Sequence, residues 1–493
     1  MKKTAKKILC IVLCLAMLAT TGIITVFATD DGTAVTRITC TVKGDTKSER
    51  GFCWYTAENT ESRVKIFENG RDVSSSLTFE YKDVTEWEGS YMHKATVYGL
   101  EAGKSYTYLV GNGSVWGTEG KFTTDDGDDK VNFISIADVQ ASSVENFRRA
   151  SLVVDAAFKT LPNADFLVNL GDFTNDSTNE EWDAYFSEFE RHNTATSLAP
   201  IAGNHDGLGV WHWFDNMFNL DKSESVQNLN GINYSFDYGN AHFAVLNTND
   251  LLSMSDAQLN WLRNDMNSTS ADWKIAFMHK SPYTLGKDGK WPDALYLQQS
   301  LTKVLDDCGV DLVMSGHDHM YLRTKSLTNN TVVDDGEGVA YVLAGTAGTK
   351  RYQIREFSVN TYMKKDFIAA MTIQRDGYAN YWNGEDYKST DPANVGGCFS
   401  TVSIDGGNLT LNAYVLSDET QTLKKIDSFS LSKDTGKNVP TFEGDNSTSI
   451  LDYGMNIVPS FLNLAKYAIF NWLVRTIIYL PKIIYYIIKD GTF

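Results

Sequence analysis

Between residues 33 and 125, short runs of alternating apolar and polar residues (Arg37 to Val42, Gly51 to Tyr55, Arg63 to Phe67, Tyr91 to Tyr98, Ser105 to Val110) are separated by Gly, Asn and Asp clusters. That rhythm predicts an all-β sandwich with Trp54 and Tyr106 in its core. Asp125 to Lys130, charged and glycine-bearing, reads as a linker, and the pattern then changes. Helical spacing over Ser143 to Lys159, Glu180 to Arg191 and Ser255 to Asn267 alternates with compact apolar runs at Ile134 to Ile136, Phe166 to Leu170, Ile275 to Met278 and Leu312 to Met314. Buried strands with helices packed on them produce that alternation. Strand-like runs at Phe399 to Ile404, Leu409 to Val415 and Lys425 to Leu431 predict a second sheet closing over the first.

The two ends differ from the body. Lys2, Lys3, Lys6 and Lys7 precede the apolar run Ile8 to Ala19, and Val26-Phe27-Ala28 supplies a plausible cleavage site. Residues 1–28 therefore read as a secretory signal peptide, which places the mature protein outside the cell. Residues 432–449 are polar with Gly436, Pro440 and Gly444, as in an exposed linker. Over 450–493, Ile, Leu, Tyr and Trp dominate, but Lys466, Arg475 and Lys482 interrupt them short of the ~20 apolar residues that span a bilayer. Asn471, Arg475, Lys482 and Lys489 share one helical face, so this amphipathic helical tail is expected to lie on a membrane surface.

At 493 residues the chain is long enough for two or three domains. Its formal charge of −18 becomes −22 without the four leader lysines, which argues against a nucleic-acid-binding surface. Cys40, Cys53, Cys308 and Cys398 remain after the leader; the first two fall on neighbouring predicted strands and are expected to form a disulfide.

The candidate chemistry lies just past the apolar runs, where α/β folds place their sites. Asp138, Gly171-Asp172, Gly203-Asn204-His205-Asp206, His279 and Gly316-His317-Asp318-His319 follow one another, and four of the eight histidines fall in them, too many for scattered structural histidines. Asp, Asn and His in this mixture suit two divalent metals that bind and hydrolyse a phosphate ester, a bridging hydroxide serving as nucleophile.

That order of blocks resembles the calcineurin-like metallophosphoesterase superfamily over residues 130–431. Tyr234 to Gly239, Met278 to Tyr283 and Gly316 to Arg323 resemble the purple acid phosphatases more closely, and Leu100 to Tyr108 resembles their N-terminal fibronectin type III-like domain. The resemblance implies a multidomain chain: that domain over 33–125, then a four-layer α/β/β/α sandwich. It also implies that Asp172 bridges two ions, with Asp138 and His319 on the first and Asn204, His279 and His317 on the second. The metals could be Fe, Mn, Zn or Co.

His205 is then expected to protonate the leaving group, with Asp206 orienting its imidazole. Lys280, Tyr283 and Arg323 are candidate substrate contacts. Gln140 stands where many superfamily members have His, and its carboxamide oxygen is a weaker ligand of the first metal. Asn175 stands where purple enzymes have a ligating Tyr, so the coloured phenolate is absent. The expected activity is a secreted, acid-phosphatase-like monoesterase. Alternatives are a phosphodiesterase acting on nucleotides, phospholipids or envelope polymers, and a non-catalytic surface protein retaining the fold.

Overall fold

The computed structural model describes residues 34–435 apart from 207–212, 224, 227–230, 251–253, 287–291, 353–362, 376–377, 383–386 and 390–394. The leader, most of the polar linker and the tail therefore lie outside the described residues.

Two large sheets face each other. In the first, the parallel strands Lys130–Ile136, Phe166–Asn169 and Ser197–Pro200 run side by side. In the second, Ala241–Leu246, Trp273–Met278, Leu312–Ser315 and Ala340–Ala344 are parallel neighbours. Side-chain alternation explains the layering. Trp273, Ile275 and Phe277 join the core between the sheets, while Ala276 and Met278 join a second core beneath helix Asp256–Ser268. Phe133, Phe166, Phe243 and Phe277 meet across the middle with ring centroids 5.1–5.8 Å apart. The helices begin where their caps do: Ser143, Thr178 and Ser255 each accept the backbone N–H three residues on, opening Val144–Thr160, Asn179–Asn193 and Asp256–Ser268.

Three expectations need correction. The late strands Gly396–Asp405, Asn408–Ser417 and Leu423–Ser432 exist, but they extend the first sheet, with Gly396–Asp405 antiparallel to Lys130–Ile136. The second sheet is completed by Tyr234–Tyr238 on one edge and by Tyr321–Thr324, Ile368–Arg375, Tyr378–Trp382 and Tyr387–Ser389 on the other. Cys40 and Cys53 lie on paired strands, but Cys40 is opposite Phe52 and Thr39 opposite Cys53, a one-residue offset that sends the thiols to opposite faces. Both are buried free thiols, as are Cys308 and Cys398.

The third correction concerns the N-terminal β region, which is fused to the first sheet. Val35–Thr41 pairs in parallel with Ser197–Pro200, Thr41 opposite Leu198, so one sheet runs from Leu423–Ser432 through to Thr78–Tyr81. Fully buried Arg50 donates to Ser197 Oγ at 2.9 Å and to the carbonyls of Thr46, Glu49 and Thr123. Arg37 reaches Asp183 and Asn179 on the helix above. Trp54 and Tyr106 are core residues, as expected.

Candidate metal centre

Every sequence block projects from the end of a parallel strand: Asp138 after Ile136, Asp172 after Asn169, Asn204 after Pro200, His279 after Met278 and His317 after Ser315. Because two sheets present these ends to one another, the loops must interpenetrate. A Cβ on Gly203 would stand 2.1 Å from the Asp172 backbone nitrogen, and one on Gly171, at φ +101°, would stand 2.6 Å from His279 Nδ1. Only glycine permits that approach. Strain concentrates here as well. Asp138, Gln140, Asp172, His317 and His319 make up five of the twelve non-glycine residues with positive φ among those described.

Asp172, His279 and His317 form one triad, and Asp138, Asp172 and His319 another, each with its ligating atoms within 4.8 Å. Asp172 is common to both. His279 donates from Nδ1 to the Leu170 carbonyl at 2.8 Å, which turns Nε2 toward Asp172 Oδ2 at 3.3 Å and Asn204 Oδ1 at 3.2 Å. His319 donates from Nδ1 to the Lys350 carbonyl at 2.9 Å, which sets Nε2 3.5 Å from Asp138 Oδ1. Each carbonyl fixes the tautomer a metal requires. Gln140 Oε1 is buried and hydrogen-bonds to nothing, as fits an oxygen whose partner is a cation.

The charges call for cations. Burial pushes Asp138 well above the usual carboxylate range. Asp172 stays low despite its burial because His279 and His205 flank it. His279 is raised to about 9; burial opposes this, but Asp172 and Asp138 outweigh it. Two carboxylates in so dry a pocket need compensating positive charge, and dications supply it more strongly than a shared proton. Burial, then His279 and Lys280, hold His317 neutral, the form that ligates.

Residues 131–321 match the calcineurin-like phosphoesterase model, and residues 35–124 match the N-terminal domain of purple acid phosphatases. The chain carries a calcineurin-like phosphoesterase domain behind a purple acid phosphatase N-terminal domain. Purple acid phosphatase 23 of Arabidopsis thaliana is 28% identical over 175 residues, 34% of this chain and 37% of that protein. Probable inactive purple acid phosphatase 1 of the same plant is 24% identical over 323 residues, 56% and 52% of the two chains. The chain thus spans between a third and just over half the length of these two relatives. A solved structure titled "Structure of PhoD" shares the fold, with a TM-score of 0.51 at 12% identity over 80% of this chain and 90% of that one.

In this phosphoesterase domain several residues take parts other than those expected. The Asp206 carboxylate accepts four backbone amides, those of Asp172, Phe173, Thr174 and Gly203, at 2.7–3.3 Å. It ties the loops of Asp172 and Asn204 together. Burial and then the Asp172 charge push its pKa up to about 7. The ring of half-buried His205 is held instead by the Asn175 carbonyl, which accepts from Nδ1. Tyr283 is a core residue, donating to Asn330 Oδ1 at 2.6 Å, and Arg323 pairs with Asp427 at 2.7 Å, so neither reaches the metal ligands. Lys280 does lie near, since His317 feels its charge.

One part of the site escaped sequence reasoning: the segment Gly345 to Tyr352, which follows strand Ala340–Ala344. Thr346 Oγ1 donates to the Asp138 carbonyl at 2.7 Å, and the Tyr352 ring stacks on that of His319 at 4.1 Å. Its signal was an apolar run ending in Gly-Thr-Ala-Gly-Thr, the same strand-then-glycine pattern as the ligand blocks.

Proposed function

We propose that this chain is a two-metal phosphoesterase hydrolysing phosphate monoesters. The single observation that carries the reading is the pair of triads sharing Asp172. When bound, two dications would acidify a water and shield the phosphate oxygens. Asp138, Gln140 and His319 would hold the first, Asn204, His279 and His317 the second, with Asp172 between them. His205, ring-bonded through Nδ1 to a carbonyl, keeps Nε2 available to pass a proton to the leaving oxygen. Asp206 keeps the two ligand loops in register. The leader-like residues 1–28 and the basic, apolar residues 450–493 support secretion and membrane-surface attachment. Among the described residues, no helix is long and apolar enough to cross a membrane.

The test is metal analysis of the purified protein followed by rates on an aryl phosphate monoester and on a bis-aryl diester. About two metals per chain, with faster monoester turnover, support the reading. Faster diester turnover would move the protein to the diesterase class, and metal binding without turnover on either would leave a binding protein.

A further inference from the structure

The segment Gly345 to Tyr352 is fastened to the first ligand loop along its length. Ala347 N donates to the Ala137 carbonyl at 2.8 Å and Gly348 N to that of Asp138 at 3.3 Å. A Cβ on Gly348 would stand 2.2 Å from the Val139 carbonyl oxygen, so the chain passes in contact with that loop. Two residues on, the Lys350 carbonyl accepts from His319 Nδ1. From there the Lys350 side chain crosses to the other side of the site, where Nζ donates to Asn175 Oδ1. Asn175 is the residue whose backbone carbonyl holds the His205 ring. One lysine therefore touches a ligand of the first metal through its backbone and the His205 support through its ammonium.

We infer that Lys350 is a substrate-binding residue whose ammonium holds a non-bridging oxygen of a phosphate dianion between His319 and His205. The inference rests on the phosphoesterase reading and narrows its substrate class. An ammonium has three donors, so it can hold Asn175 and a phosphate oxygen together. Its hydrogen-bond partner there is the neutral Asn175 carboxamide, whose Nδ2 donates in turn to the Asp176 carboxylate at 2.8 Å. Two dications against Asp138 and Asp172 leave the site positive, and Lys350 adds to that excess. A monoester brings two negative charges to the match and a diester one, so the arrangement favours a terminal, dianionic phosphate.

The experiment titrates inorganic phosphate calorimetrically into the metal-loaded wild type, Lys350→Ala and Lys350→Arg, with metal content measured on each. Lys350→Ala should weaken phosphate binding roughly 10- to 100-fold at unchanged metal content, the loss expected for a charge-assisted hydrogen bond. Lys350→Arg should recover most of it. With an aryl monoester the loss should appear mainly in KM. Affinity in Lys350→Ala within about twofold of wild type overturns the inference. Loss of metal in that variant also overturns it, because Lys350 would then be a support for His319. Phosphate binding without ester turnover in the wild type would sink the phosphoesterase reading, while weaker binding by Lys350→Ala would still support the contact.

Discussion

At the residue scale, His205 and Asp206 are neighbours in sequence that do separate work. The half-buried His205 imidazole is held by the Asn175 carbonyl, and the Asp206 carboxylate accepts four backbone amides. Their alanine variants should therefore fail differently. His205→Ala should lower turnover roughly 10²- to 10⁴-fold on an alkyl phosphate, and less on an aryl phosphate, with metal content and melting temperature unchanged. Asp206→Ala strands buried donors and should cost about 3 kcal/mol or more of stability, with loss of metal. Calorimetry and metal analysis of the pair separate the roles. Equal thermal stability of the two variants would contradict the anchoring role of Asp206. The mixture of ligand types was legible in the sequence because each chemistry-bearing residue is identifiable by type. The direction in which Asp206 points was not, because it depends on amides 32–34 residues away in the chain.

At the scale of elements, His242 on strand Ala241–Leu246 joins its hairpin partner to the helix above. Its Nδ1 lies 2.7 Å from Asp237 Oδ1 and its Nε2 2.9 Å from Asp265 Oδ2. Burial opposes a charge there, but the two carboxylates prevail and raise the imidazole to about 9. A folded pKa above the ordinary unfolded value near 6.5 gives stability that is fully present below pH ~6.5 and is lost as pH rises through about 9. Because Asp237 is largely exposed, the contribution is about 1–3 kcal/mol. Denaturant unfolding at pH 6.5 and 9 should show that decline in the wild type and not in His242→Gln. Parallel pH profiles would refute it. Helix and strand positions were readable from periodicity and caps: Ser143 and Ser255 open helices where the pattern placed them. The sheet to which Gly396–Asp405 belongs was not readable, since a strand's periodicity shows that it pairs and not with what.

For the whole molecule, the sheet that runs unbroken from the N-terminal β region into the phosphoesterase domain makes the two mutually dependent. Removing residues 34–125 would uncover the edge of Ser197–Pro200, whose neighbour is Val35–Thr41, and leave Ser197, Asp183 and Asn219 without Arg50, Arg37 and Thr41. A chain beginning at Lys130 should therefore aggregate or melt well below the intact protein, as an exposed sheet edge does. A soluble, equally stable fragment would show that the two are independent domains. Residues 450–493 lie outside this framework.

The sequence by itself determined the ligand chemistry and its place at strand ends, because residue type and local apolar runs are properties of short segments. It also determined the two architectures in order, since alternation with period two and with helical period differ over any dozen residues. Tertiary structure decided which sheet the late strands join and which face Cys40 and Cys53 occupy. It also joined His205, Asn175, Lys350 and His319 in one chain of contacts. These are relations between segments as far apart in the chain as Lys130 and Asp405, fixed by strand register and loop interpenetration, and they leave no mark on the local pattern of the chain.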